Sequence, residues 1–291
     1  QKPLLISVIG NLEERRFFQE ELGVPVFAFP GEAIRALALA RQYYTCQWSP
    51  PPAPPSEVPG LEAVRSLLQP YQGHAGPLPL PVALQLCVTL GLPVPPWGVA
   101  TTVEQTVELA RSQGLPSCLK LVAPSAVHKS DLGGVILDLQ TPEAVAEGFA
   151  RLSEAAANLP VGEAWQVLVM PYVAAGLEVI LGAKRDRAFG PMVLFGAGGI
   201  WVEVLEDVAL RLAPLDRTAA LEMIAETKIY RILKGYRGQP PADLEALAEG
   251  LVRLAALMVQ YPEIQEVDLN PVRVLPQGQG FLILDARVIL G

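Results

Sequence analysis

The sequence predicts an α/β protein of more than one globular unit, and three observations lead there. Apolar strand-like runs alternate with amphipathic helices from the start of the chain. A stretch that is mostly proline, Ser49 to Pro59, separates that opening from a longer remainder. With 291 residues and 51% hydrophobic content the chain can bury a large core, and its length favours two or more units.

Taken in order, Leu4 to Val8 reads as a buried strand and Leu12 to Leu22 as an amphipathic helix closed by Gly23. Val26-Phe27-Ala28 reads as a second strand and Glu32 to Gln42 as a second helix. Two parallel strands cannot bury both sheet faces, so residues 1–48 are expected to be the tail of a larger α/β domain completed from upstream or by a partner. Residues 49–76 are expected to be a proline-rich linker holding a short helical segment near Leu61 to Leu68, with a second Pro/Gly stretch from Gly73 to Pro81. Beyond it come helices at Val82 to Leu90 and Thr102 to Gln113, the latter capped by Thr102. Leu119 to Val122, Val135 to Leu139 and Trp165 to Met170 read as strands around the helix Pro142 to Ala157. Met170-Pro171-Tyr172 interrupts the pattern as a hinge between two lobes would. Strands at Leu177 to Lys184 and Met192 to Phe195, helices near Arg217 to Ile224 and Ala242 to Met258, and strands at Ile264 to Leu269 and Phe281 to Asp285 complete the second lobe.

The net charge of −8 argues against a nonspecific nucleic-acid binder, so any phosphate site must be local. Cys46, Cys87 and Cys118 lie far apart, which suggests neither a zinc site nor a disulfide framework and fits a reducing, cytoplasmic setting. No apolar run reaches the roughly 20 residues of a membrane span, and no leader pattern is evident. The absence of an initial methionine at Gln1 suggests a fragment or processed form.

The stretch from Leu119 to Val135 concentrates the chemistry. Lys120 sits in an apolar strand, His128-Lys129 in the loop beyond it, and Gly133-Gly134 lets the backbone turn back into the next strand. A lone strand lysine is more often a snorkelling surface residue, but the adjoining glycine-rich loop favours a phosphate contact. His128 is open to three readings from spacing alone: a surface loop residue, a hydrogen-bond donor, or a nucleophile whose free imidazole nitrogen takes and releases a phosphoryl group. His74, the other histidine, lies in the Pro/Gly stretch with no evident partner. In Glu266-Val267-Asp268-Leu269-Asn270 the polar residues project from one strand face, and Asp285 ends an apolar strand that would pair alongside. That pattern alone is an exposed sheet face; it is also sufficient for magnesium on a triphosphate, which takes one or two carboxylates plus phosphate oxygens and water. Phe195-Gly196-Ala197-Gly198-Gly199 departs from a dinucleotide fingerprint, because its third glycine follows too soon; it reads as a tight turn or a loop serving a phosphate.

Lys120 with His128-Lys129-Ser130-Asp131-Leu132-Gly133-Gly134-Val135, Gly176 to Gly182, Phe189-Gly190-Pro191, Phe195 to Ile200 and Glu266-Val267-Asp268-Leu269-Asn270-Pro271 together resemble the ATP-grasp domain of the ADP-forming acyl-CoA synthetases, relatives of succinyl-CoA synthetase. The resemblance covers about Pro77 to Gly291 and implies two α/β lobes gripping ATP or ADP with Mg2+. It implies nucleotide binding by Lys120, Lys129, Gly133, Gly134, Val169, Met170 and Glu178, phosphoryl relay by His128, and metal binding by Asn270 and Asp285 with Asp268 beside them. Asp186 and Glu203 also belong to the pattern, and Arg211 and Arg237 are candidate anion contacts. Residues 1–48 resemble the end of a flavodoxin-like CoA-ligase domain, so the resemblance implies a CoA-binding domain or alpha-type subunit as partner.

On this reading the chain is the nucleotide-binding part of an ADP-forming acetyl-CoA synthetase, passing phosphate between ATP/ADP and a phosphohistidine relay, and inactive alone. A synthetase-like regulatory region of a protein lysine acetyltransferase is the alternative. A ligase joining a carboxylate to an amine is disfavoured by His-Lys-Ser-Asp.

Overall fold

The computed structural model describes residues 4–10, 12–23, 25–48, 58–124, 133–199, 207–236 and 238–291. The chain divides into two compact units, Gln1–Pro51 and Pro52–Gly291.

The first unit runs β1 (Ile6–Ser7), α1 (Leu12–Leu22), β2 (Val26–Phe27) and α2 (Pro30–Trp48). β1 and β2 pair in parallel, Ile6 opposite Val26, as strand–helix–strand order requires. So small a sheet leaves little to pack on: Ala33 is the buried apolar residue among the described ones, while Ile9, Phe17, Phe29, Ile34, Leu39 and Tyr43 stand exposed.

The second unit holds two antiparallel sheets. The smaller lobe comprises β4 (Gly98–Ala100), α5 (Val103–Gln113), β5 (Ser117–Val122), β6 (Val135–Leu139), α6 (Pro142–Ala156) and β7 (Gln166–Pro171), with strand order β4-β7-β5-β6. Thr102 and Thr141 cap α5 and α6 by accepting from the Gln105 and Ala144 amides. Both helices cover one face of the sheet, and Leu119, Leu121, Val145, Leu152, Val167 and Val169 form their shared core.

The larger lobe begins with α3 (Leu61–Leu68), a 3₁₀ turn (Gln69–Tyr71), β3 (Gly76–Pro77) and α4 (Leu80–Thr89). The stretch expected as a linker is thus more than a spacer: Val64 and Leu68 are buried in the main core, and Tyr261 Oη donates to Leu61 O at 2.6 Å. After the smaller lobe follow β8 (Leu177–Asp186), β9 (Gly190–Ala197), β10 (Val208–Leu212), α7 (Arg217–Glu226), α8 (Tyr230–Leu233), α9 (Leu244–Gln260), β11 (Ile264–Val274), β12 (Phe281–Ile283) and β13 (Ala286–Leu290). The sheet order is β10-β9-β8-β11-β13-β3, with β12 also beside β11. α9 presents Leu247, Leu251, Leu254 and Met258 as one apolar stripe to the core. Asp243 caps α9 through the Ala246 amide at 3.1 Å and also accepts from Gly278 and Gly280 at 2.9 Å, tying the β11–β12 turn to the helix. β10 has no counterpart in the expected elements. Its outward residues Val208, Leu210 and Leu212 are apolar, like inward Ala209, so the alternation that marks a half-exposed strand is missing.

Candidate functional site

The two lobes meet at Lys120. On β5, Leu119 and Leu121 point into the smaller lobe's core, while Cys118, Lys120 and Val122 occupy the opposite face. Cys118 and Val122, with Leu168 and Met170 of β7, join the larger lobe's core there. The Lys120 side chain is only 5% exposed; its Nζ lies 3.2 Å from Asp285 Oδ2 and donates to Leu284 O at 2.6 Å. A strand of one sheet is therefore joined by a buried charge to the break between β12 and β13 of the other.

The chain around Asp285 is arranged by β11. β11 pairs with β12 at Val272 and Ile283 and with β13 at Leu269 and Ala286 in one continuous register, which puts Asn270 opposite Asp285 and Pro271 opposite Leu284. Leu284 N donates to Pro271 O at 3.0 Å, closing the gap. Against β8, the register shifts between Leu269 and Val272, giving β11 an extra residue. Before this bulge Val267 and Leu269 face the core, with Glu266 and Asp268 on the other side; after it Val272 and Val274 are buried. Asn270 is exposed at the bulge, and Asp285 is 26% exposed in its side chain. Asp285 Oδ1 also accepts from the Ala286 amide at 2.9 Å. Burial raises the Asp268 carboxyl above the ordinary aspartate value; Glu266 adds to this, Arg287 opposes it, and Asp285 adds further.

Among the described residues no group of three or more His, Cys, Asp or Glu side chains lies close enough to hold a metal ion. Asn270, Asp285 and neighbouring Asp268 supply hard oxygen donors but too few to cage a cation. That donor set fits magnesium carried on a triphosphate, whose remaining ligands are phosphate oxygens and water.

The other expected nucleotide residues are spread more widely. Met170 pairs with Cys118 and faces the same side as Lys120, whereas Val169 packs with Leu119 in the smaller lobe's own core. Gly133 adopts φ +65°, a left-handed conformation that favours glycine, and Gly134 O accepts from the Leu121 amide at 2.8 Å. Glu178, on β8, pairs with Arg273 of β11 at 2.8 Å, and Arg273 also donates to Gly176 O at 3.0 Å. The glycine loop after β9 packs against this point: Gly198 N donates to Glu178 O at 3.0 Å, and a Cβ on Gly198 would lie 2.8 Å from the Val179 nitrogen. Close backbone approach thus accounts for glycine at 198, and its amide is already engaged.

Asp186 serves the β8–β9 turn, accepting from Ala188 and Phe189 at 2.8 and 2.9 Å; these bonds, Phe189's first, hold its carboxyl below the ordinary value. Arg211 pairs with Glu226. His74 has neighbours that sequence reasoning missed, the edge of Tyr71 and Pro77 O at 3.4 Å. His128, Lys129, Ser130 to Leu132, Glu203 and Arg237 lie outside the described residues. Arg273, Arg287 and the Leu284 carbonyl were also missed. Alternation from Asp285 points to Arg287, but the bulge at Asn270–Pro271 hides the face of Arg273.

Two lobes facing each other across a lysine–aspartate contact define a cleft-forming α/β domain with the donor chemistry for a metal-carried phosphate. The chain belongs to the ATP-grasp family: residues 75–290 match the ATP-grasp domain. It is 39% identical over 227 residues to the acetate–CoA ligase [ADP-forming] I subunit beta of Pyrococcus furiosus, covering 78% of this chain and 97% of that subunit. It is 37% identical over 286 residues to the acetate–CoA ligase [ADP-forming] I of Archaeoglobus fulgidus, covering 97% of this chain but only 41% of that longer protein. Among solved structures, acetyl-coenzyme A synthetase 1 of Ca. Korarchaeum cryptofilum, in complex with coenzyme A, Ca-AMPCP and HgCl+, superposes with a TM-score of 0.73 at 38% identity, over 78% of this chain and 99% of that one. No described helix is long and apolar enough to cross a membrane.

Proposed function

We propose that this chain is the nucleotide-binding part of an ADP-forming acyl-CoA synthetase, with acetate–CoA ligase as the nearest activity class. The observation that carries the reading is the Lys120–Asp285 contact between the two sheets, with Asn270 in register opposite Asp285. Asn270 and Asp285 would hold the magnesium that accompanies ATP or ADP, with Asp268 beside them; bound there, the ion supplies neutralisation of phosphate charge. Lys120, already almost excluded from water, adds a fixed positive charge to the same place, where low local polarity strengthens its pull on phosphate oxygens. Met170 lines the same side of the smaller sheet, Gly133 and Gly134 lead into β6 beside Lys120, Glu178 braces the glycine loop, and Lys129 would add a second phosphate contact.

His128 is the proposed relay. Its imidazole nitrogen takes the phosphoryl group from a phosphohistidine of the CoA-handling part, and ADP accepts it to give ATP; in the opposite direction ATP phosphorylates His128 and ADP leaves. The donor side belongs to a CoA-binding domain or alpha-type subunit. Residues beyond the span shared with the separate Pyrococcus beta subunit are matched in the longer Archaeoglobus protein, and the first unit has bare apolar surface that such an α/β ligase region would cover. Turnover of the overall reaction is therefore expected only with that region present. No structural feature favours the acetyltransferase-regulator reading, and the relatives described above are ligases.

The test is labelling from ATP carrying a radioactive terminal phosphate, with the CoA-handling region supplied. An acid-labile label that His128→Ala abolishes is expected; a label unchanged in that variant would remove His128 from the relay.

A further inference from the structure

β13 carries a cation, Arg287, that the nucleotide and metal contacts proposed above do not use. Ala286, Val288 and Leu290 are buried in the core, so Arg287 lies on the opposite face, half-buried. Its Cα partner on β11 is Asp268, and Asp285 lies two residues before it. Three arginines, Arg185, Arg273 and Arg287, have a buried Nε without a hydrogen-bond partner among the described residues. Arg185 directs its Nη2 to the carbonyls of Met258 and Tyr261, at the end of α9, and Arg273 uses both Nη groups on Gly176 and Glu178. Arg287 makes no such bond among the described residues, although it stands beside the acids of the proposed metal site. The Arg287 Nε is buried with no acceptor among the described residues, and a donor withdrawn from water in this way is costly unless something binds it.

We propose that Arg287 is a phosphate-binding residue of this cleft, holding the terminal phosphoryl group of a nucleoside triphosphate through its unpartnered guanidinium edge. The assignment rests on the nucleotide reading above. Were magnesium held by Asn270 and Asp285 it would neutralise the outer phosphates, so these residues would mark the end of the cleft nearest the terminal group. Two residues along a strand span about 7 Å, a distance an arginine side chain reaches. Its planar fork matches phosphate oxygens in a way that a lysine does not. Asp268, directly opposite, would orient the guanidinium rather than consume it.

The experiment titrates the chain with ADP and with β,γ-methylene ATP, both with magnesium, for the unaltered protein, Arg287→Gln, Arg287→Lys, Asp268→Asn and the double variant Arg287→Gln/Asp268→Asn. Loss of a charge-assisted phosphate contact is expected to weaken the triphosphate analogue about tenfold in Arg287→Gln while ADP changes by less than about twofold. Arg287→Lys should recover part of the loss, and the double variant, compared with Asp268→Asn alone, should show the same selective loss for the triphosphate. Equal effects on both nucleotides, no effect on either, or recovery in the double variant would overturn the assignment; recovery would make Arg287 merely the counter-ion of Asp268. Thermal unfolding of each variant separates loss of fold from loss of contact. If neither nucleotide binds the unaltered chain, the nucleotide reading itself falls, and this assignment with it.

Discussion

Replacing Lys120 with methionine keeps most of the side chain's volume and deletes its charge and its hydrogen-bond donors. At 3.2 Å from Asp285 Oδ2, the gross attraction at an effective dielectric near 20 is about 5 kcal/mol, much of it offset by the cost of keeping the ammonium away from water. Asp285 retains the Ala286 amide and partial access to solvent, so its stranded charge is not fully buried. Leu284 O also loses its donor. The net destabilisation expected is about 2–3 kcal/mol, toward the low side of what breaking a buried pair costs. For a unit of this size that corresponds to a fall in Tm of roughly 5–10 °C. Nucleotide affinity should fall by about tenfold to a hundredfold, since a charge-assisted phosphate contact goes as well. Calorimetric titration with Mg-ADP, at a temperature where both proteins are folded, measures this separately from stability. A folded Lys120→Met variant that binds Mg-ADP as tightly as the parent would refute the phosphate role; one with an unchanged Tm would refute the energetic reading of the contact.

Asp268→Asn should raise stability near neutral pH while weakening nucleotide binding. The folded-state carboxyl is raised, so its protonated form favours folding and its ionisation, as pH rises, costs stability; the gain from asparagine should therefore vanish below the unfolded aspartate value of about 3.9, as thermal melts across pH would record. Cys87 and Cys118, pushed up by burial to about 12 and about 11, should resist a thiol reagent at pH 7.5 in the folded protein and react in denaturant; rapid native-state labelling of either, located by mass spectrometry, would contradict their burial. Asp243→Ala removes the α9 cap and two further amide acceptor bonds, so a loss of about 3 kcal/mol is expected in denaturant unfolding, and a loss below about 1 kcal/mol would show that the turn does not depend on it.

The sequence made the two-lobed plan and many core elements readable where periodicity was clean. The strands at Val135–Leu139 and Leu177–Asp186, the caps at Thr102 and the long α9 are examples. Features that depend on distant neighbours were not readable. α3 looked like part of a spacer because prolines flank it, yet its burial comes from α4 and Tyr261, almost 200 residues away. The glycines at 198 and 199 suggested phosphate handling, while the Gly198 amide is spent on Glu178 O. At the site, alternation set Asp268 and Asn270 apart from the core residues Val267 and Leu269, but register was needed to place Asn270 opposite Asp285. Only the folded chain shows that Lys120 reaches that same point from the other sheet.

The central claim is that the cleft at Lys120, Asn270 and Asp285 holds a magnesium-bound nucleotide. Asn270→Ala tests it most directly, because Asn270 is exposed and its loss strands no buried charge. Calorimetric titration with ADP, with magnesium and with EDTA, should show binding that depends on magnesium in the parent and weakens at least tenfold in Asn270→Ala at unchanged Tm. Equal affinity in parent and variant, with the same magnesium dependence, would contradict the account.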